Sequence, residues 1–402
     1  MRVTSRPSPD PGKRTAETAV SQPLEFAPEV LPESGLASLT AELLRRGHAA
    51  IGPVAGDGAV VLRLLDNPEE LALGVRVKQE AGKYLLDAKT GPVFLDGGPA
   101  ANSAKSFFHP AEIRLFSAVK QDREIRVTGE DAPAAKLALI GLRPCDLAAV
   151  LRQDQILFET PFDDGVYRRR REHTLLIVFQ CTQPAATCFC ASMGTGPRAE
   201  SGFDVALTAI EEAGEIVLLA EAGTPKGAEL LAALPSRPAG AQIVQDARAA
   251  AGVAALRMKR QVNRDGLRDA LYAAFDSPHW DEVAVRCLAC GNCTSVCPTC
   301  FCTTVDESSS LDGRRAERYR RWDSCFTQGF SYIHGGSVRL SAKARYRQWL
   351  THKFAYWEDQ FGQTGCTGCG RCITWCPAGI DVTAEIAALR RAVAPAESPT
   401  DR

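Results

Sequence analysis

Two cysteine runs constrain this chain more than any other feature: Cys287-Leu-Ala-Cys290-Gly-Asn-Cys293-Thr-Ser-Val-Cys297-Pro298 and Cys366-Thr-Gly-Cys369-Gly-Arg-Cys372-Ile-Thr-Trp-Cys376-Pro377. Each has the spacing C-x2-C-x2-C-x3-C-P. A cubane iron–sulfur cluster requires a thiolate on each of its four irons. Three cysteines on one tight loop reach three corners, and the fourth ligand must approach from elsewhere. Paired runs of this kind exchange their fourth cysteines, as in two-cluster ferredoxins. The expectation is one [4Fe-4S] cluster on Cys287, Cys290, Cys293 and Cys376, and a second on Cys366, Cys369, Cys372 and Cys297. Gly291 and Gly370 let the backbone approach the inorganic core, and Pro298 and Pro377 turn the chain away after the last ligand.

Zinc also favours C-x2-C pairs, but four ligands in two separated pairs satisfy it. Eight cysteines in two proline-closed quartets exceed that demand. Disulfides are disfavoured because residues 1–25 show no secretory signature: they lack an apolar core, contain acidic residues and carry no paired arginines. That stretch and residues 395–402 read as solvated tails. No apolar run is long enough to span a bilayer, so the expectation is a cytoplasmic chain with reduced thiols available to metal. A formal net charge of −1 removes any global electrostatic case for nucleic acid as a partner. Local basic groups at Arg168 to Arg171, at Arg314, Arg315, Arg318, Arg320 and Arg321, and at Lys343, Arg345 and Arg347 read as solvated faces or as a dock for an acidic partner.

The remaining cysteines divide the chain. Only four precede Cys287. The N-terminal region alternates apolar strand-like runs with helical segments, as an α/β domain does. Residues 136–142 read as a buried strand, followed by Arg143-Pro144-Cys145-Asp146 and a helix from Leu147 to Leu157, with Asp146 as its cap. A second buried strand, residues 174–179, runs into Cys181. This is a βαβ unit, whose crossover puts both carboxyl ends on one sheet edge, where open α/β sheets bind ligands. Cys145, Cys181, Cys188 and Cys190 therefore form a candidate third cluster site; the same ligand set suits zinc, or four buried thiols.

The expected organisation is an α/β domain over residues 26–276 and a mostly α-helical dicluster ferredoxin domain over residues 277–394. An alanine-rich amphipathic stretch, residues 245–275, precedes the boundary at Asp276-Ser277-Pro278. The 79 residues from Cys287 to Cys366 mark a long insertion between the two runs. After the second run, Val382, Ile386, Leu389 and Val393 share one face of a helix capped by Asp381. Cys300, Cys302 and Cys325 fall one thiolate short of a cubane and read as packed thiols, unless His334, Asp323 or another chain completes a site. Gly194-Thr-Gly196-Pro-Arg-Ala199 matches a dinucleotide fingerprint but follows a cysteine loop instead of a strand. The six histidines are scattered. No residue set for substrate catalysis stands out.

Several segments, taken together and in order, resemble the beta subunit of cytoplasmic NAD(P)-linked [NiFe] hydrogenases, or sulfhydrogenases, a family that includes the A subunit of anaerobic sulfite reductase. They are Gly141-Leu-Arg-Pro-Cys-Asp146, Cys188-Phe-Cys190 with Ser192-Met-Gly-Thr-Gly-Pro197, Cys297-Pro-Thr-Cys-Phe-Cys302, Trp322-Asp-Ser-Cys-Phe326 and Gly365-Cys-Thr-Gly-Cys-Gly-Arg-Cys372. The resemblance spans roughly residues 100 to 390 and implies a non-catalytic electron-transfer subunit. Its implied partners are a flavin subunit that reacts with NAD(P), a [NiFe] large subunit and an iron–sulfur small subunit. Within the same family the other role is electron input to an anaerobic sulfite reductase; outside it stands a structural or sensing iron–sulfur scaffold.

Overall fold

The computed structural model describes residues 26–87, 97–129 and 135–393; both tails expected from the sequence lie outside these. The N-terminal region is built on an eight-stranded sheet in the order Arg237–Pro238, Glu29–Pro32, Glu215–Ala222, Val205–Glu212, Thr174–Phe179, Leu137–Leu142, Ala49–Gly56, Ala59–Leu64. Its middle is parallel: Val205–Glu212, Thr174–Phe179, Leu137–Leu142 and Ala49–Gly56 pair in that sense, and antiparallel strands flank them. The sequence Thr-Leu-Leu-Ile-Val-Phe is buried at every position, as a strand covered on both faces should be. Helices such as Gly35–Arg45 and Pro144–Leu157 contribute Leu36, Leu39, Leu43, Leu147 and Val150 to the same core.

The expected βαβ unit is present, with strands at Leu137–Leu142 and Thr174–Phe179 and the helix Pro144–Leu157 between them. Its helix starts earlier than expected. Pro144 occupies the first turn, where its missing N–H costs nothing and its fixed φ suits the helix. Arg143 is the N-cap, and Asp146 does not cap: it sits inside the first turn with its carboxylate turned to Arg371. A bulge between Ile140 and Leu142 re-aims the strand end towards Cys145, and Gly141 takes the φ of +78° that the bulge requires.

A second sheet joins two parts of the chain that the expected boundary at residue 276 would separate. Its order is Thr303–Ser309, Arg315–Trp322, Glu112–Gln121, Glu124–Gly129, antiparallel throughout. The first two strands lie in the insertion between the cysteine runs. The insertion is thus partly a β-hairpin, with its longest helical segment towards its end, where Ala342–Thr351 continues through a π-helical turn at His352–Tyr356 into Trp357–Phe361. The alanine-rich stretch forms two helices, Ala241–Leu256 and Leu267–Ala273. The C-terminal helix is Val382–Val393, and the Thr383 N–H donates to Asp381 Oδ1 at 3.0 Å, the expected cap. Around the cysteine runs a second core forms from Trp280, Phe326, Trp349, Phe354, Ile386 and Leu389, joined by Phe189 and Met193 from the N-terminal cysteine loop.

Candidate functional site

The two runs fold alike. In each, the middle glycine adopts a left-handed conformation, Gly291 at φ +73° and Gly370 at φ +78°, and starts a one-turn helix, Asn292–Ser295 or Arg371–Thr374. The residue before the second cysteine is also left-handed in both, Ala289 at φ +51° and Gly368 at φ +63°. This path aims backbone N–H groups at the sulfurs: Ala289 N–H donates to Cys287 Sγ and Gly368 N–H to Cys366 Sγ, both at 3.4 Å. Ile380 N–H donates to Cys376 Sγ at 3.3 Å. Such donors stabilise thiolate charge and tune the potential of a bound cluster.

Two cavities lie between the runs. One is lined by Cys287, Cys290 and Cys293 of the first run with Cys376 of the second, and Cys372 also reaches it. The other is lined by Cys366, Cys369 and Cys372 of the second run with Cys297 of the first. Each cavity therefore draws its fourth sulfur from the opposite run. Among the described residues, no three His, Cys, Asp or Glu side chains are arranged to hold a single metal ion. The cysteines ring spaces instead of meeting at a point, an arrangement suited to a polynuclear cluster rather than to tetrahedral zinc.

The four N-terminal cysteines are all buried. Cys145 lies in the first turn after its strand, Cys181 follows the next strand, and Cys188 and Cys190 occupy the loop and short helix beyond. Cys145, Cys188 and Cys190 pack in one group with Met258 and Cys369, and Cys181 is close enough to raise the pKa of Cys188 and Cys190. Burial first, then the neighbouring Cys181, pushes the Cys188 thiol up to about 12. Burial likewise holds Cys145 and Cys190 well above the usual thiol range, so a metal would have to displace their protons. The Cys188 sulfur lies 3.9 Å from the Cys369 carbonyl oxygen, which puts this group directly against the second cavity.

That contact is tight. A Cβ at Gly368 would lie 2.7 Å from Cys190 Cα, and one at Gly370 would lie 2.4 Å from the Thr187 carbonyl oxygen. Phe189 N–H donates to the Gly368 carbonyl at 2.9 Å, and Thr195 Oγ1 donates to the Thr367 carbonyl at 2.7 Å. Arg371, 1 % exposed and placed between Cys369 and Cys372, clamps the same junction. Its guanidinium binds Asp146 at 2.6 and 3.2 Å and the carbonyls of Ala100 and Asn102 at 2.8 and 2.9 Å.

Two buried lysines complete the surroundings. Lys353 lines the second cavity and donates to Thr299 Oγ1 at 3.0 Å. Lys105 lies 3.9 Å from the Trp322 ring centroid. The dinucleotide-like glycines do not form a phosphate loop; Gly196 instead packs against Cys190, whose sulfur is 3.0 Å from where a Cβ would be. The basic groups are largely matched internally: Arg171 by Asp154, Arg315 by Glu317, Arg321 by Glu112 and Asp306, and Lys343 by Asp281.

Residues 286–380 match the family model of a 4Fe-4S dicluster domain, which covers both runs and the hairpin between them. Over 289 residues the chain is 32 % identical to sulfhydrogenase 2 subunit beta of Pyrococcus furiosus, covering 69 % of this chain and 79 % of that protein. The chain belongs to the sulfhydrogenase beta-subunit family. It is an iron–sulfur protein of the hydrogenase electron-transfer type, with [4Fe-4S] clusters as its cofactors. Among the described residues, no helix is long and apolar enough to cross a membrane.

Proposed function

We propose that this sulfhydrogenase-type beta subunit is an electron relay within a hetero-oligomer, linking an NAD(P)-reacting flavin subunit to a [NiFe] large subunit and its iron–sulfur small subunit. Cys287, Cys290, Cys293 and Cys376 hold one [4Fe-4S] cluster; Cys366, Cys369, Cys372 and Cys297 hold the second; Cys145, Cys181, Cys188 and Cys190 hold a third. Bound clusters supply one-electron carriers. The chain supplies thiolates, the N–H donors from Ala289, Gly368 and Ile380, and apolar walls from Trp349, Phe354 and Phe189 that keep water out. Arg371 positions the second run against the N-terminal loop through Asp146.

The observation that carries the reading is contiguity. The Cys188 sulfur touches the backbone of Cys369, and Cys372 reaches both run cavities, so the three sites follow one another without an intervening layer of protein. A chain with purely structural clusters has no need for that adjacency. The test uses the complex purified anaerobically with its own partner subunits. NADH, NADPH or hydrogen should reduce the EPR-visible clusters of this subunit, while the flavin-free chain alone should turn over neither nucleotide. Clusters that stay oxidised with every donor in the intact complex would point to a scaffold. Reduction by NAD(P)H coupled to sulfite consumption would assign the chain to sulfite reduction.

A further inference from the structure

Three cysteines remain outside these quartets. Cys300 and Cys302 follow the first run, and Cys325 lies beyond the second strand of the inserted hairpin. The hairpin brings them to one end: Thr303 pairs with Trp322, and the Asp323 N–H donates to the Cys302 carbonyl at 2.9 Å. Burial first, then the neighbouring Cys302, pushes the Cys325 thiol up to about 12. Cys300, Cys302 and Asp323 line one solvent-open cavity, and Cys290 of the first run lines it too. Cys325 sits between the lining residues Ser324 and Phe326 without lining the cavity itself, and His334 lies on neither the wall nor a neighbouring position.

Lys105 lines the same cavity and is 4 % exposed. Its Nζ donates to the Ser295 carbonyl at 3.3 Å, and among the described residues no carboxylate pairs with it. Held by the Ser295 carbonyl and the Trp322 ring, this buried amine puts a donor beside several thiols, which favours an anionic occupant of the cavity. A single zinc ion fits poorly, because no three side chains here are arranged around one ion; the same holds for the cysteines of the dicluster domain, whose spacing suits a polynuclear group.

We propose that Cys300, Cys302, Cys325 and Asp323 hold a further iron–sulfur cluster, with three thiolates and one carboxylate oxygen as ligands and Lys105 as counter-charge. Because Cys290 borders both cavities, the site lies beside the first run's cluster and opens to solvent. As a metal site it stands apart from the relay; as a surface-side station it rests on that reading.

The experiment measures iron and EPR on the full-length chain isolated anaerobically with native iron. Cys302→Ser and Cys325→Ser should each lose about four irons per chain relative to wild type, with the signals of the run clusters retained. Asp323→Ala should lose about one iron and give an oxidised three-iron EPR signal absent from wild type. This comparison is independent of the N-terminal quartet and of any partner subunit. If a serine variant fails to fold, alkylation of the wild type decides: Cys300, Cys302 and Cys325 should resist iodoacetamide until iron is chelated. Unchanged iron in the folded variants, or complete alkylation of the three cysteines in iron-loaded wild type, overturns the proposal.

Discussion

An ammonium group among thiols is costly to bury unless negative charge lies beside it. Lys353 is 5 % exposed and bonded to Thr299, and among the described residues no carboxylate pairs with it. Burial works against its charge, yet Cys297, Cys300 and Cys366 hold its pKa well above the usual lysine value. Its physical role follows from position: a fixed positive charge beside the second quartet favours the reduced, more negative state of a cluster held there. Lys353→Met should therefore shift that cluster's potential to more negative values. A unit charge several ångströms away at an effective dielectric near 20 contributes on the order of 2 kcal/mol, or roughly 90 mV for one electron. Lys353→Arg should keep most of the wild-type potential. An EPR-monitored redox titration compares the three proteins, and a Met variant with an unmoved potential would reduce Lys353 to a packing role. No spacing rule marks this lysine, because the partner of its ammonium group, Thr299, lies 54 residues earlier, just past the first run. Arg371 is visible as part of C-G-R-C, but its partner Asp146 reads locally as a helix cap, and only the tertiary structure turns that carboxylate inward.

At the scale of elements, the junction between the cysteine loop at Thr187–Cys190 and the second run depends on absent side chains. Gly368 is left-handed and stands 2.7 Å, by its would-be Cβ, from Cys190 backbone; Gly362, also left-handed at φ +67°, faces nothing within 4 Å. Gly362→Ala should cost only the left-handed strain, roughly 1–2 kcal/mol. Gly368→Ala adds a backbone clash to that strain, for a loss of about 2–4 kcal/mol. In the clusters it should act on the second quartet and the N-terminal site together. Thermal unfolding and iron retention of both variants check this, and equal effects would mean that the junction is loose. Local periodicity made the two central strands and the terminal helix with its Asp381 cap legible in the sequence. The inserted hairpin was not legible: Arg315–Trp322 is rich in arginine and half exposed, so it lacks the apolar alternation that marks a strand. What makes it a strand is pairing with Glu112–Gln121, almost two hundred residues earlier, including the Arg321–Glu112 bond at 2.6 Å.

At the scale of the whole molecule, that pairing removes the simple division into an N-terminal domain and a separate ferredoxin. The shared sheet, the Arg371–Asp146 pair and the Arg152 bond to the Thr364 carbonyl at 2.8 Å tie the two cysteine systems together. A fragment ending near Asp276 would lose Cys369 and the rest of the second run from against the N-terminal quartet, so the intact chain is the right object for testing cluster assignment. Crossed ligation is the strongest test of this interleaving, because it links residues that sequence order keeps apart. Cys376 lines the cavity of the Cys287 run, whereas Cys297 lines that of the Cys366 run. Cys376→Ser should therefore disturb the cluster on Cys287, Cys290 and Cys293, although the substitution lies in the other run. Cys297→Ser should do the reverse. In EPR spectra of the reduced full-length chain the two variants should perturb different signals, each matching a variant of the distant run: Cys376→Ser with Cys287→Ser, and Cys297→Ser with Cys366→Ser. If Cys376→Ser instead matches Cys366→Ser, each run closes its own cluster and the crossed assignment fails.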